Sequence, residues 1–146
     1  MVKIDRYDLP EEFYYKQMDH VWVKILNSKK VVLGLDDFGQ QLTGRIQKID
    51  TYPVYAEIRK GKTFATLESG KYVGPVKAPL SGKVIEVNIA VLKNPKLINE
   101  SCYDNWILIV EPNNLEDDLL DLVKGEEALR IWIQEEIDDY KRRGYL

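Results

Sequence analysis

The chain has 146 residues, 31% of them charged and 45% hydrophobic, the composition of one ordinary globular domain with enough apolar material for a core. Twenty-one basic and 24 acidic residues leave a net charge of −3, which makes no case for nucleic acid. One cysteine, Cys102, and one histidine, His20, exclude an internal disulfide and a Cys/His metal cluster.

No apolar run reaches the length of a membrane span. The N-terminus lacks the apolar core of a secretion signal, and its acids argue against a transit peptide. The expected location is the cytoplasm. Charge is uneven: from Glu111 onward eleven acids face five bases, a local −6, against +3 for the rest. An acidic solvent face on terminal helices is the simplest account, although such asymmetry can steer partners.

In chain order, Pro10-Glu11-Glu12 suits the first turn of a short helix, with proline early and acids at the positive end. Phe13, Tyr14 and Tyr15 would pin it to the body. Val21–Leu26 and Val31–Leu35 read as strands joined by the polar turn Asn27–Lys30, a hairpin. Asp36 or Asp37 can cap a helical turn containing Phe38 and Leu42. Asn94-Pro95 and Asn99–Asn105 read as loop. From Asn114 the period becomes helical: Asn114 is the cap, Leu115, Leu119, Leu122 and Val123 share a face, and Gly125 is the stop. A second helix carries the stripe Leu129, Trp132, Ile133, Ile137 and Tyr140, which is core packing. Lys141–Arg143 suit its C-terminus.

One pattern occurs twice. Leu42-Thr-Gly-Arg-Ile-Gln-Lys-Ile49 and Leu80-Ser-Gly-Lys-Val-Ile-Glu-Val87 are each a glycine turn leading into a strand. Each is followed by a second strand, Thr63–Leu67 or Trp106–Val110. Two similar units suggest a pseudo-twofold β-sandwich. Between them lies Phe64–Pro79, a hairpin whose turn residues Gly70 and Gly74-Pro75 flank Lys71. Most lysines are solvated surface charges, but one held at a hairpin tip is also a handle for a cofactor that must visit other proteins. His20 reads as a structural or surface histidine rather than a base, no phosphate loop is present, and no carboxylate pair can be placed. The chain therefore reads as a binding or carrier module, not an enzyme.

These pieces, in this order, resemble the glycine cleavage system H-protein family of lipoyl carriers, over about Tyr15 to Glu111. His20-Val-Trp-Val23 is similar to its His-x-Trp-Val opening, and Leu33–Gly44 to the segment that follows. Glu68-Ser69-Gly70-Lys71 resembles its Glu-Ser-x-Lys lipoylation motif. Ala78–Asn88, Pro95–Asn99 and Trp106–Leu108 match its later patterns.

The resemblance implies a mainly β fold, a hybrid β-barrel sandwich of the biotinyl/lipoyl type. A short N-terminal helix and C-terminal helices would complete a single domain over 1–146, with a β core at 15–111 and a helical extension at 112–146. It implies lipoate in amide linkage on Lys71, with Glu68, Ser69 and Gly70 recognised by lipoate ligase or octanoyltransferase, and no metal. The implied role is to carry an aminomethyl group between glycine decarboxylase (P protein), aminomethyltransferase (T protein) and dihydrolipoyl dehydrogenase (L protein), as a monomer without nucleic acid or membrane. Two stretches depart from the family. Tyr72-Val-Gly-Pro-Val-Lys77 replaces an alanine-rich segment, and Tyr103-Asp-Asn-Trp106 a glycine-rich one. H-like lipoate-binding proteins of a sulfur-oxidation route with heterodisulfide-reductase-like complexes, and an unmodified H-like scaffold, remain alternatives. A biotinyl carrier is disfavoured, because its lysine is flanked by methionines rather than by Gly70 and Tyr72.

Overall fold

The computed structural model describes residues 1–146. It opens with a hairpin of β1 (Val2–Ile4) and β2 (Tyr7–Leu9), turned at Asp5, which has φ 56°. Then come β3 (Tyr14–Lys16), β4 (Val21–Asn27) and β5 (Lys30–Leu35), paired antiparallel in that order. The helix expected at Pro10 is absent, and residues 10–13 form a turn. Its cue was local and lost to a two-residue alternation: Val2, Ile4, Tyr7, Leu9, Phe13 and Tyr15 are all buried, as strands on one sheet face require. The Tyr15 hydroxyl donates to Pro10 O at 2.6 Å, fixing the turn.

Helix α1 (Asp37–Thr43) follows, capped by Asp36, whose carboxylate accepts from Gly39 N–H. Strand β6 (Ile46–Thr51) and the short β7 (Glu57–Ile58) lead to β8 (Thr63–Ser69), β9 (Val73–Lys77) and β10 (Gly82–Val87). Two short helices, α2 (Ile89–Lys93) and α3 (Leu97–Glu100), interrupt what reads as loop. They place Val91 and Ile98 in the core. Last come β11 (Leu108–Pro112), α4 (Leu115–Leu119), β12 (Val123–Lys124) and α5 (Glu126–Arg142).

The strands form a seven-stranded sheet in the order β12-β3-β4-β5-β11-β10-β7 and a three-stranded sheet in the order β6-β8-β9. The repeat seen in the sequence falls one unit in each sheet. β6 pairs with β8 and β10 with β11, both antiparallel and each with one bulge. Residues from both sheets share one core: Val21, Val23, Leu33 and Val110 from one, Ile49, Leu67 and Val76 from the other. This is a β-sandwich, mainly β with a C-terminal helix, as expected.

Around Val21–Val23 and Val31–Leu35 the large sheet is buried on both faces. Val21 and Val23 point into the sandwich, whereas Trp22 and Val32 point to a second core beneath the N-terminal hairpin and α5. That explains why β4 and β5 read as nearly unbroken apolar runs. Trp22 lies opposite Gly34 across the β4–β5 pair. A Cβ at Gly34 would come within 2.4 Å of the indole, so only glycine lets the ring lie flat there. The helix expected to run to Val123 stops at Leu119, because Val123–Lys124 instead pairs with the open edge of β3. Residues 112–146 thus complete the same body. In α5 the stripe is as expected, with Leu129, Trp132, Ile133 and Ile137 buried.

Candidate functional site

Lys71 sits at the tip of the β8–β9 hairpin. Glu68 faces Val73 across the ladder, and Ser69 N–H donates to Tyr72 O at 2.7 Å. Gly70 and Lys71 therefore form the corner, both exposed. Along β8 the side chains alternate, so Glu68 points to solvent and Ser69 inward.

Ser69 is an anchor. Its buried hydroxyl donates to Thr43 O, in the last turn of α1, at 2.6 Å and accepts from Lys71 N–H at 3.3 Å. The hairpin tip is thereby tied to the C-terminal end of α1. Gly44 ends that helix with φ 81°. A Cβ built on it would lie 3.0 Å from Lys71 Cε and 3.8 Å from Nζ. The lysine stem thus lies over bare backbone, a seat that any larger residue would fill, and the amine stays exposed beyond it.

Asn99, on α3, fixes the seat from below. Its amide donates to Gly44 O at 2.9 Å and to Gln40 Oε1 at 3.0 Å, and its oxygen accepts from Ile46 N–H at 2.8 Å. Beside the seat opens a cleft of about 460 Å³ with no hydrophobic residue in its lining, which comprises Arg6, Gln40, Gln41, Gly44, Arg45 and Asn99. Tyr72 lays its ring over the backbone of Gly74 and is half exposed, as the neighbouring Val73 is more fully.

The N-terminal end of α1 is built differently. His20 is buried between the rings of Phe38 and Trp132, stacked at centroid distances of 4.7 and 5.0 Å. Its Nδ1 meets the Asp36 carboxylate at 2.9 Å, and its Nε2 meets Glu136 of α5. Burial alone would lower the imidazole's pKa. The carboxylates of Asp36 and Glu136 outweigh it and push the value up to about 10, so the ring is cationic at neutral pH. Burial raises the Asp36 carboxyl above its ordinary value against the pull of that cation. His20 thus holds α5 onto α1, and of the structural and surface readings its burial selects the structural one.

Cys102 is buried, and burial pushes its thiol well above the ordinary range, so it offers no thiolate nucleophile. No group of three or more His, Cys, Asp or Glu side chains is arranged to hold a metal. No helix is long and apolar enough to cross a membrane.

Sequence reasoning placed Lys71 at a hairpin tip with Gly70 as a turn residue, and the structure puts both at the β8–β9 corner, with Glu68 and Ser69 the last residues of β8. It missed Thr43, Gly44 and Asn99 as the lysine's support. Gly44 and Asn99 stood within motifs already singled out. Thr43 contributes only a carbonyl, for which no side chain is diagnostic.

A family model described as glycine cleavage H-protein matches residues 13–135. Glycine cleavage system H protein 2 of Aquifex aeolicus is 43% identical over 123 residues, spanning 84% of this chain and 76% of its own. A probable glycine cleavage system H protein of Thermococcus gammatolerans is 38% identical over 126 residues, spanning 86% and 93%. Among solved structures, a glycine cleavage system H protein from Mycobacterium marinum superposes with a TM-score of 0.73 over 82% of this chain and 95% of its own. At 24% identity that likeness concerns the fold.

Proposed function

The chain belongs to the glycine cleavage H-protein family, and from that premise we propose that it is a non-catalytic carrier bearing lipoate in amide linkage on Lys71. The observation that carries this reading is the seat: an exposed amine at a hairpin tip, its stem resting on a glycine that no side chain could replace without displacing it. The residues present fit the group, since acylation needs a free amine with open space beyond it and no neighbouring side chain in the way.

In loading, Lys71 Nζ as the free amine attacks the carbonyl carbon of an activated lipoyl group. A C–N bond forms, the activating group leaves with its bonding electrons, and the nitrogen gives up a proton to solvent. Lysine suits this because a flexible stem carries a nucleophilic amine. Lipoate, once bound, supplies two sulfurs that cycle between disulfide and dithiol, redox thiols that buried Cys102 cannot offer. Ser69 holds the turn, Gly44 and Asn99 hold the seat, and Glu68 and Gly70 present the surface that a lipoate ligase or octanoyltransferase would read. Tethering keeps the reactive group at high local concentration wherever the hairpin docks.

In this reading the protein serves glycine cleavage, shuttling between glycine decarboxylase, aminomethyltransferase and dihydrolipoyl dehydrogenase as a single domain over 1–146. The specific observation favouring a second cargo is the Tyr72–Pro75 stretch. It sets an aromatic ring and a proline beside the arm's root where the family has small residues, and an H-like role in sulfur oxidation would use the same lysine. Intact mass of protein from a lipoate-competent host tests the attachment. A mass gain of one amide-linked lipoyl group is expected, and it disappears in Lys71→Arg; persistence of the gain in that variant sinks the assignment. Glycine–bicarbonate exchange with the loaded protein and glycine decarboxylase separates the two cargoes, and absence of exchange removes the glycine role.

A further inference from the structure

The polar cleft beside Lys71 has a sign. Arg6 and Arg45 line it, no carboxylate does, and neither arginine joins any of the ion pairs in the molecule. The arginines of α5, by contrast, all pair with acids of their own helix: Arg130 with Glu126, and Arg142 and Arg143 with Asp139. Arg6 and Arg45 come from distant parts of the chain, the turn of the N-terminal hairpin and the residue after Gly44.

Arg6 is placed rather than trailing. The hairpin is fastened to α1, with Asp8 N–H donating to Asp37 Oδ2 at 2.9 Å. Tyr103 ties the same point, donating to Asp8 O at 2.6 Å and accepting from Asp37 N–H at 3.0 Å. Gln41 Nε2 donates to Arg6 O itself at 3.2 Å. The backbone of Arg6 is thus held against α1 while its guanidinium stays exposed. Gln40 and Gln41 each commit an amide N–H to Asp37, and the charged donors lining the cleft are the two guanidiniums. Gly44, against which the Lys71 stem lies, is itself part of the cleft wall. Arg6 also lies outside the stretch 13–135 matched by the family model, so this half of the charge pair is an addition of the N-terminal hairpin.

We propose that Arg6 and Arg45 form a docking clamp for carboxylates on the enzyme that acylates Lys71. The proposal rests on Lys71 being the acceptor. Arg6's guanidinium lies 5.7 Å from the Tyr7 ring centroid, and an acidic protein surface is the occupant that two exposed guanidiniums free of ion pairs select, since each can take a carboxylate bidentately. The cleft is open and shallow, as a surface contact needs. Rim charges of this kind act mainly on encounter, so their signature is a salt-sensitive association.

The test is acylation of the full chain by its host's lipoate ligase with lipoate and ATP, comparing wild type with an Arg6→Gln/Arg45→Gln variant. The KM for the carrier should rise roughly ten-fold in the variant at low salt, with kcat unchanged. The gap should narrow as salt rises from about 0.01 to 0.15 M, where the screening length falls from about 30 to about 8 Å. Arg6→Lys/Arg45→Lys should recover part of the loss. Lys29→Gln, on the exposed β4–β5 turn, should leave KM unchanged. Equal KM and salt dependence in wild type and variant overturn the clamp while leaving the acceptor reading intact. If the variant acylates normally and inorganic phosphate shifts the Arg6 and Arg45 resonances saturably, the cleft takes a small anion and the proposal falls. Failure of wild type itself to be acylated removes the acceptor reading, and the clamp with it.

Discussion

The two ends of α1 are built on opposite plans. At its N-terminus His20 is stacked between two aromatic rings and flanked by the carboxylates of Asp36 and Glu136, with His20 and Asp36 buried. At its C-terminus a glycine, a lysine and two unpaired arginines stand open to water. One end uses charge to lock α5 to the sandwich, where a charge left without its partner is costly. The other leaves charge unsatisfied within the fold, so that it remains available to a partner. One short helix thus connects a closed, charge-locked cluster with an open, unpaired one.

The largest expected effect breaks the closed end. His20→Ala leaves Asp36 and Glu136 without their counter-charge and should cost about 3–5 kcal/mol, read by urea unfolding. The lipoyl mass gain should survive in whatever protein folds. A change below about 1 kcal/mol would mean that the cluster behaves as a surface pair and that the contrast is false.

The same cluster predicts a pH dependence. The folded-state pKa of about 10 lies above the ordinary 6.5. The stabilisation is therefore fully present below the ordinary value and lost as pH rises through about 10. The stability gap between wild type and His20→Asn should shrink across that window; a gap constant over the same range contradicts a cationic buried ring.

At the open end, Gly44→Ala puts a side chain in the left-handed region and against the Lys71 stem. The backbone strain should cost about 1–2 kcal/mol. Acylation of Lys71 should slow more than stability alone explains, a difference that single-turnover loading would show. The smallest effect lies on neither end. Arg130→Ala removes an exposed ion pair with Glu126 and should change stability by less than about 0.5 kcal/mol, within the error of a melting curve.

Much of this was legible in the sequence because the deciding signals were local. β4 and β5 are nearly unbroken apolar runs, α5 has a 3.6-residue stripe, and Gly70 and Gly74 bracket the tip that presents Lys71. What was not legible depended on partners far along the chain. The proline-and-acid cue at Pro10–Glu12 yielded to strands that cover Trp22. Val123 left a helical stripe for the unpaired edge of β3. The short α2 and α3 owe their place to Val91 and Ile98 entering the core. The polar cleft joins positions 6, 45 and 99, and no spacing in the sequence announces such a meeting.

Pro75 has a further consequence, for how the protein avoids sticking to itself. β9 is an edge of the three-stranded sheet. The backbone bond from Ser69 to Tyr72 sets the ladder's phase, and Leu67 with Gly74 repeats it two residues on. Thr66 and Pro75 then fall in a non-bonded pair, so the position lacking an N–H faces outward. Along that rim a second chain seeking to add a strand meets a missing donor at Pro75 and a lysine at Lys77, both of which discourage edge-to-edge association. The strand that runs on from Lys71 is thereby a poor template for aggregation.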